Sequence, residues 1–164
     1  MKNFLNSQKG FSMIEFLSVI AIVIFLTGFI TFNLSKTQQH TSINTTIDSL
    51  VTDIKQQQLK AMIHDTQGDG MVDAYGIYFQ SARYTLFKGI IYSSSDPTNF
   101  IVALDTNLQF TNITFPNSSV IFTKGSGEIS GFVNGQNTIQ IKSVSSNETK
   151  TITLNKYGTI TSVN

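Results

Sequence analysis

The chain has 164 residues, with 11 basic and 10 acidic side chains and a formal net charge of +1, which suits one domain plus an anchor segment. It contains no cysteine, so disulfides, thiolate catalysis and Cys-ligated zinc are excluded. Charged residues make up only 13% of the chain, and without clustered Lys and Arg we expect no nucleic-acid partner.

The first predicted element is an apolar helix at residues 11–32, in which Glu15 is the single charge. About 22 residues at roughly 1.5 Å each give about 33 Å, enough to cross a hydrocarbon core of about 30 Å. Lys2 and Lys9 precede the segment and only Lys36 follows it closely, so the positive-inside rule places the N-terminus in the cytoplasm. A secretory signal peptide is the alternative, but its apolar region is usually only about 7–15 residues long and ends at a small-x-small cleavage site.

Glu15 is the most informative residue of this segment. A carboxylate near the start of a membrane-spanning helix costs a few kcal/mol, and such residues are usually functional. The alternative is that Glu15, close to the start of the helix, reaches the lipid headgroups.

Residues 9–17, KGFSMIEFL, resemble the cleavage and methylation signature of type IV prepilins and type II secretion pseudopilins. The resemblance implies that residues 1–10 are a leader peptide and that a prepilin peptidase cuts between Gly10 and Phe11. It also implies methylation of the new Phe11 amine and pairing of that amine with Glu15 of a neighbouring subunit. Gly10 has no side chain, which lets a peptidase approach the backbone closely.

Residues 33–64 are predicted to continue the helix as an amphipathic segment that packs on a core. Its apolar residues recur at helical spacing, although Gln57 and Gln58 interrupt the stripe and Leu59 falls off it. The members of the predicted stripe are Ile43, Ile47, Leu50, Val51, Ile54, Ala61 and Met62. The whole helix would measure roughly 80 Å, so its first half needs lipid or neighbouring subunits.

The loop at residues 65–76, DTQGDGMVDAYG, is similar to a calcium-binding EF-hand loop. Gly76 stands where that loop has its bidentate Glu, and Asp and Gly are also favoured in simple turns. We favour the turn and expect no metal or other cofactor, since His40 and His64 form no cluster either. The residues at the EF-hand offsets are Asp65, Gln67, Asp69, Gly70, Val72 and Asp73.

From residue 75 onwards apolar and polar residues alternate in short runs separated by turn residues, which predicts an antiparallel β domain at 65–164. Asn134–Gly135 is a hairpin signal, and Ile139 and Ile141 are predicted to point inward. The fold class is therefore α+β, with one long helix on antiparallel sheets, and the resemblance at residues 9–17 implies that it is pilin-like. The predicted strands are 75–80, 83–88, 99–104, 108–115, 119–123, 138–144, 149–154 and 159–163.

Several stretches of this domain, among them YGIYF at 75–79 and TITLNKYGTI at 151–160, resemble H-type minor pseudopilins and FimT-like minor pilins. Two features depart from the pattern: QQQLKA at 56–61 replaces a frequent Ala-Arg pair, and Phe32 stands where many major pilins have proline. The DNA-binding members use a basic C-terminal tail, which residues 161–164 do not provide.

The sequence therefore predicts a structural subunit rather than an enzyme: a minor pilin or pseudopilin. Its predicted location is the bacterial inner membrane as a single-pass protein, and afterwards a pilus or pseudopilus. Its predicted partners are other subunits, through the N-terminal helix, and the prepilin peptidase. The alternative is a membrane-anchored binding module for DNA uptake or adhesion.

Overall fold

A computed structural model describes residues 10, 12–68, 70 and 73–164, apart from the side chains of residues 29–41. The chain divides into two units, Met1–Gln38 and Gln39–Asn164. The single α-helix of the described residues, α1, spans Met13–Met62 and contains no proline. The helix was predicted to continue to residue 64, and this is confirmed to within one turn, since α1 ends at Met62. Its predicted first residue, Phe11, lies outside the described residues.

Eight strands and one 3₁₀ helix at Pro116–Ser118 follow α1. They form two four-stranded sheets with antiparallel pairing: the first sheet has the order β3-β2-β1-β5 and the second β4-β6-β7-β8. The predicted α+β class with antiparallel sheets is thereby confirmed. The strands are β1 Tyr75–Gln80, β2 Arg83–Lys88, β3 Phe100–Ala103, β4 Leu108–Ile113, β5 Ser119–Phe122, β6 Thr138–Ser143, β7 Thr149–Leu154 and β8 Ile160–Val163.

The core of the second unit lies between α1 and both sheets. Alternation along the strands produces it: Tyr75, Ile77 and Phe79 are buried on β1, and Ile139 and Ile141 are buried on β6 as predicted. Side chains two residues apart share one face of a strand, so each sheet presents an apolar face to the helix. Burial of these side chains is the main stabilising contribution.

The helix stripe differs from the prediction at two positions. Met62 was expected in the core but is 45% exposed, whereas Gln57, expected to interrupt the stripe, is only 2% exposed. The buried positions 43, 47, 50, 54, 57 and 61 alternate steps of four and three residues. That spacing keeps position 57 on the buried face, and the helix geometry therefore buries its glutamine despite the polar amide.

Gln58 ties the helix to two loops. Its Nε2 donates to the carbonyl oxygens of Gly127 at 2.9 Å and Tyr157 at 2.6 Å. The Gln58 side chain also lies close to the backbone of Gly158, where an added Cβ would be 2.5 Å from Gln58 Nε2. Gly158, with a φ of +72°, supplies both the space and the left-handed turn. The β5–β6 and β7–β8 connections are thus held by one side chain.

The predicted hairpin at Asn134–Gly135 is wrong. The turn itself forms, with Gln136 N–H donating to Val133 O at 3.0 Å, but β6 pairs with β4 and β7. The segment before the turn has other partners: Ile129 N–H donates to Lys156 O, and Ser130 N–H donates to Ile121 O. Two of its backbone N–H groups thus bond to other parts of the chain, and the segment does not pair with β6.

Candidate functional site

The start of α1 carries the sequence-predicted site, of which Gly10 and Glu15 are described and Phe11 is not. Gly10 is exposed, and among the described residues other than its chain neighbours no atom lies within 4 Å of where a Cβ would be. Ser12 N–H donates to Glu15 Oε2 at 2.8 Å, and Glu15 N–H donates to Ser12 Oγ at 3.3 Å. These reciprocal bonds form a capping box, which satisfies two backbone donors at the helix start.

The capping box gives Glu15 a role that the sequence analysis did not consider. A carboxylate in the first turn also interacts favourably with the positive end of the helix dipole. The signal was present in the sequence, since Ser12 and Glu15 have the Ser-x-x-Glu spacing typical of a helix start. Pairing of Glu15 with a neighbour's Phe11 amine stays a prediction.

The first part of α1 presents apolar side chains on every side. Even its hydroxyl groups bond within the helix: Ser18 Oγ donates to Ile14 O and Thr27 Oγ1 to Val23 O, each at 2.7 Å. Exposed apolar surface of this extent marks a site of contact with other proteins or with a membrane. Eleven large apolar residues are 39–82% exposed: Met13, Ile14, Phe16, Leu17, Val19, Ile20, Ile22, Val23, Ile24, Phe25 and Leu26.

In the part of the chain that the structure describes, no helix combines the length and the apolar character needed to cross a membrane. The spanning segment predicted at 11–32 includes Phe11 and the side chains of 29–32, which are outside the described residues. That segment stays a prediction.

The loop after α1, compared above with a calcium site, is described only in part, because Asp69 and Val72 lie outside the described residues. Asp65 Oδ1 accepts from Gln67 N–H at 2.9 Å, and Asp73 Oδ1 accepts from Ala74 N–H at 2.8 Å. Both carboxylates therefore bind backbone donors, and the Asp65 bond has the two-residue spacing of an ordinary Asx turn. Among the described residues, no three His, Cys, Asp or Glu side chains come together as metal ligands.

A second candidate site, which the sequence analysis missed, is a cleft between α1 and the β3 edge of the first sheet. We call it the edge cleft; its volume is about 500 Å³, and its lining includes Asp53, Gln57, Lys60, Leu86 and Phe100. The residues come from distant parts of the chain, and this explains why no local motif indicates the cleft.

A half-buried hydrogen bond lies beside the edge cleft. The Tyr84 hydroxyl donates to Asp53 Oδ2 at 2.5 Å. Burial raises the pKa of Tyr84 above its ordinary value, and the hydrogen bond to the Asp53 carboxylate raises it further. Tyr84 therefore stays neutral well into the alkaline range and donates to Asp53 throughout.

Comparison of the chain with family models, with curated proteins and with solved structures finds no match.

Proposed function

We propose that this chain is a minor pilin or pseudopilin, a structural subunit of a type IV pilus or a type II secretion pseudopilus. One observation carries the proposal: the prepilin-like residues 9–17 lead directly into a helix whose residues 13–26 expose apolar side chains on all sides. Such a surface needs lipid or other apolar helices around it. The exposed start of α1 gives a peptidase access to Gly10.

The proposed mechanism begins in the bacterial inner membrane, with the segment 11–32 as the anchor. A prepilin peptidase removes residues 1–10 and methylates the amine of Phe11. During assembly the anchor leaves the lipid and packs among the helices of other subunits, while the antiparallel β domain faces outward. The Glu15 carboxylate pairs with a neighbour's Phe11 amine, which offsets the cost of holding a charge in an apolar bundle.

Processing is tested on the chain isolated from its own membranes. Mass spectrometry should find Phe11 as the first residue, one methyl group heavier than unmodified phenylalanine. In a Gly10→Val variant the β-branched side chain blocks the approach of the peptidase, and the leader should remain. An intact leader on the natural chain, or cleavage beyond residue 32, contradicts the proposal.

Three variants separate charge pairing from helix capping at Glu15. Glu15→Gln keeps an acceptor for the capping box but removes the charge, whereas Ser12→Ala removes the capping side chain and keeps the charge. If pairing with a neighbour's amine matters, Glu15→Gln and Glu15→Val should be processed normally but fail to enter filaments, while Ser12→Ala assembles. The readout is the amount of each variant in sheared or purified filaments.

The reverse result has a different meaning. If Ser12→Ala fails to assemble and Glu15→Gln assembles normally, Glu15 acts through the helix cap alone, and the pairing step of the proposed mechanism is wrong.

A further inference from the structure

The core-facing side of the first sheet is covered unevenly. Val120, Ile77, Leu86 and Phe100 form one row across β5, β1, β2 and β3. Their exposed fractions rise along that row from 0%, 0% and 7% to 64% at Phe100. Phe100 therefore lies on the buried face of the sheet but has no layer above it.

The backbone of β3 is also open on one side, since among the described residues it pairs only with β2. Leu104 N–H donates to Ala82 O, and alternate opposed residues exchange bonds in an antiparallel pair. With the register Tyr84↔Val102 and Leu86↔Phe100, residues 100 and 102 bond to β2. The N–H and C=O groups of Ile101 and Ala103 consequently point away from the sheet.

Such an edge is a template for another strand. β3 reads FIVA, without a charge or a proline, and Phe100 and Ile101 are 64% and 55% exposed. β3 is short, at four residues, but it has no charge, proline or bulge to protect its edge.

The edge cleft beside β3 contains an unsatisfied acceptor. Gln57 is 2% exposed, and its Oε1 is buried without a hydrogen-bond partner among the described residues. Leaving such an acceptor unpaired costs about 1–3 kcal/mol. One helical turn before it, Asp53 lines the same cleft, so two side chains with acceptor oxygens border this space.

Acidic groups also flank β3 at both ends. Hydrogen bonds from the Thr98 hydroxyl and N–H lower the pKa of Asp96, with a smaller contribution from the charge of Lys88. Bonds from Asn107 N–H and the Ser42 hydroxyl lower the pKa of Asp105. Both are carboxylates at neutral pH. Lys60 lines the cleft as well, with its Nζ 5.8 Å from the centre of the Tyr75 ring. Arg83, opposite Ala103, directs its Nε to Gln80 Oε1.

We propose that the β3 edge accepts an extended strand of a partner protein whose arginine enters the edge cleft. The strand's backbone bonds to Ile101 and Ala103. Its guanidinium donates to Asp53 and, once the Gln57 amide turns towards the cleft, to Gln57 Oε1. An arginine fits because its planar group carries five donors and no acceptor. The arginine's aliphatic stem covers Phe100 on the cleft face, and the apolar residues flanking the arginine point to the other face and cover Ile101. This inference does not depend on leader cleavage or on filament assembly.

The test uses the purified full chain in detergent and a synthetic peptide, acetyl-Thr-Val-Arg-Val-Thr-amide. Two control peptides replace the arginine by leucine or carry N-methyl groups on alternate backbone nitrogens. By calorimetry or fluorescence anisotropy, the arginine peptide should bind at least about ten-fold more tightly than the leucine peptide, as expected for a charge-assisted bond of roughly 1.5–3 kcal/mol. The N-methylated peptide should not bind.

Variants of the chain test which residues make the proposed contacts with the peptide. Gln57→Leu should reduce the affinity for the arginine peptide towards that for the leucine peptide. Ile101→Pro removes an outward N–H without breaking a bond to β2 and should abolish binding of both peptides. The matched control is Val163→Pro on β8, the edge of the second sheet. The bonds between Thr151 and Asn164 place the N–H of Val163 outward by the same alternation, and this variant should bind normally.

Several outcomes overturn the proposal. These are absence of peptide binding, equal affinity for the arginine and leucine peptides, or normal binding by Ile101→Pro. If the chain instead forms dimers that Ile101→Pro abolishes, the β3 edge binds a second copy of this chain. The proposal of a different partner protein is then wrong. Should Ile101→Pro fail to fold, the N-methylated peptide decides, because it changes only the ligand.

Discussion

Gln57 occupies a position on α1 where the helical spacing favours an apolar side chain. The sequence analysis treated it as a break in the stripe, because an amide usually stays in water. The structure buries it at the edge cleft, with its oxygen unpaired among the described residues. Spacing alone would have placed position 57 on the buried face. What the sequence could not show is the missing donor, since this depends on how far β3 lies from the helix.

Tyr84 provides a pH-dependent prediction at the residue scale. Its pKa is raised in the folded chain by burial and by Asp53, whereas in the unfolded chain it titrates near the ordinary value of about 10. Below about pH 10 both states are protonated and the stabilisation is complete. At higher pH the unfolded state loses its proton first, and stability falls by up to about 1.4 kcal/mol per pH unit.

We expect Tyr84→Phe to show a shallower loss of stability than the natural chain between about pH 10 and pH 12. Urea denaturation of both proteins at a series of pH values measures the difference. If the free energy of unfolding falls equally with pH in both proteins over that range, Tyr84 is not protonated preferentially in the folded state.

At the scale of elements, the strands were predictable because alternation is a local property. β1, β2 and β7 begin and end where the sequence analysis placed them, and the others differ by one or two residues at an end. Pairing was not predictable in the same way. β5 reaches across to β1 and β4 pairs with β6, and such long-range partners depend on packing rather than on turn residues. The hairpin expected at Asn134–Gly135 failed for this reason.

The central strand β1 illustrates how closely these elements pack. Gly76 lies opposite Phe87 on β2 and Ile121 on β5. An added Cβ would lie 2.5 Å from Phe87 Cζ and 2.9 Å from Val120 O. Because Val120 O is backbone, the clash cannot be relieved by a side-chain rotation alone.

Gly76→Ala should therefore lower the free energy of unfolding by about 1–3 kcal/mol, the usual effect of overpacking. Combining it with Phe87→Leu, which removes the ring, should recover part of the effect of the alanine relative to Phe87→Leu alone. Chemical denaturation of the natural chain, the two single variants and the double variant gives the coupling energy between positions 76 and 87. A Gly76→Ala variant as stable as the natural chain would mean that β1 and β2 separate more easily than the register indicates.

For the whole molecule, the two units differ in the surface they present. Every member of the buried core cluster lies in the second unit, Gln39–Asn164, from Ile43 to Leu154. None of the members is among the described side chains of the first unit, and those between 13 and 26 expose apolar surface instead. The described core that stabilises the fold thus lies in the second unit. The apolar surface that needs lipid or protein around it lies in the first.

We predict that a chain consisting of residues 39–164 folds in buffer without detergent, with a free energy of unfolding within about 1 kcal/mol of the same unit in the full chain, because it retains the whole core. The full chain should need detergent or lipid to stay monodisperse, because of its exposed apolar residues. Size-exclusion chromatography and urea denaturation of both proteins test this. Aggregation of the shortened chain, or a broad non-cooperative transition, would show that residues 1–38 contribute to folding as well as to anchoring. A monodisperse full chain in plain buffer would remove the need for lipid or neighbouring helices on which the proposed subunit role depends.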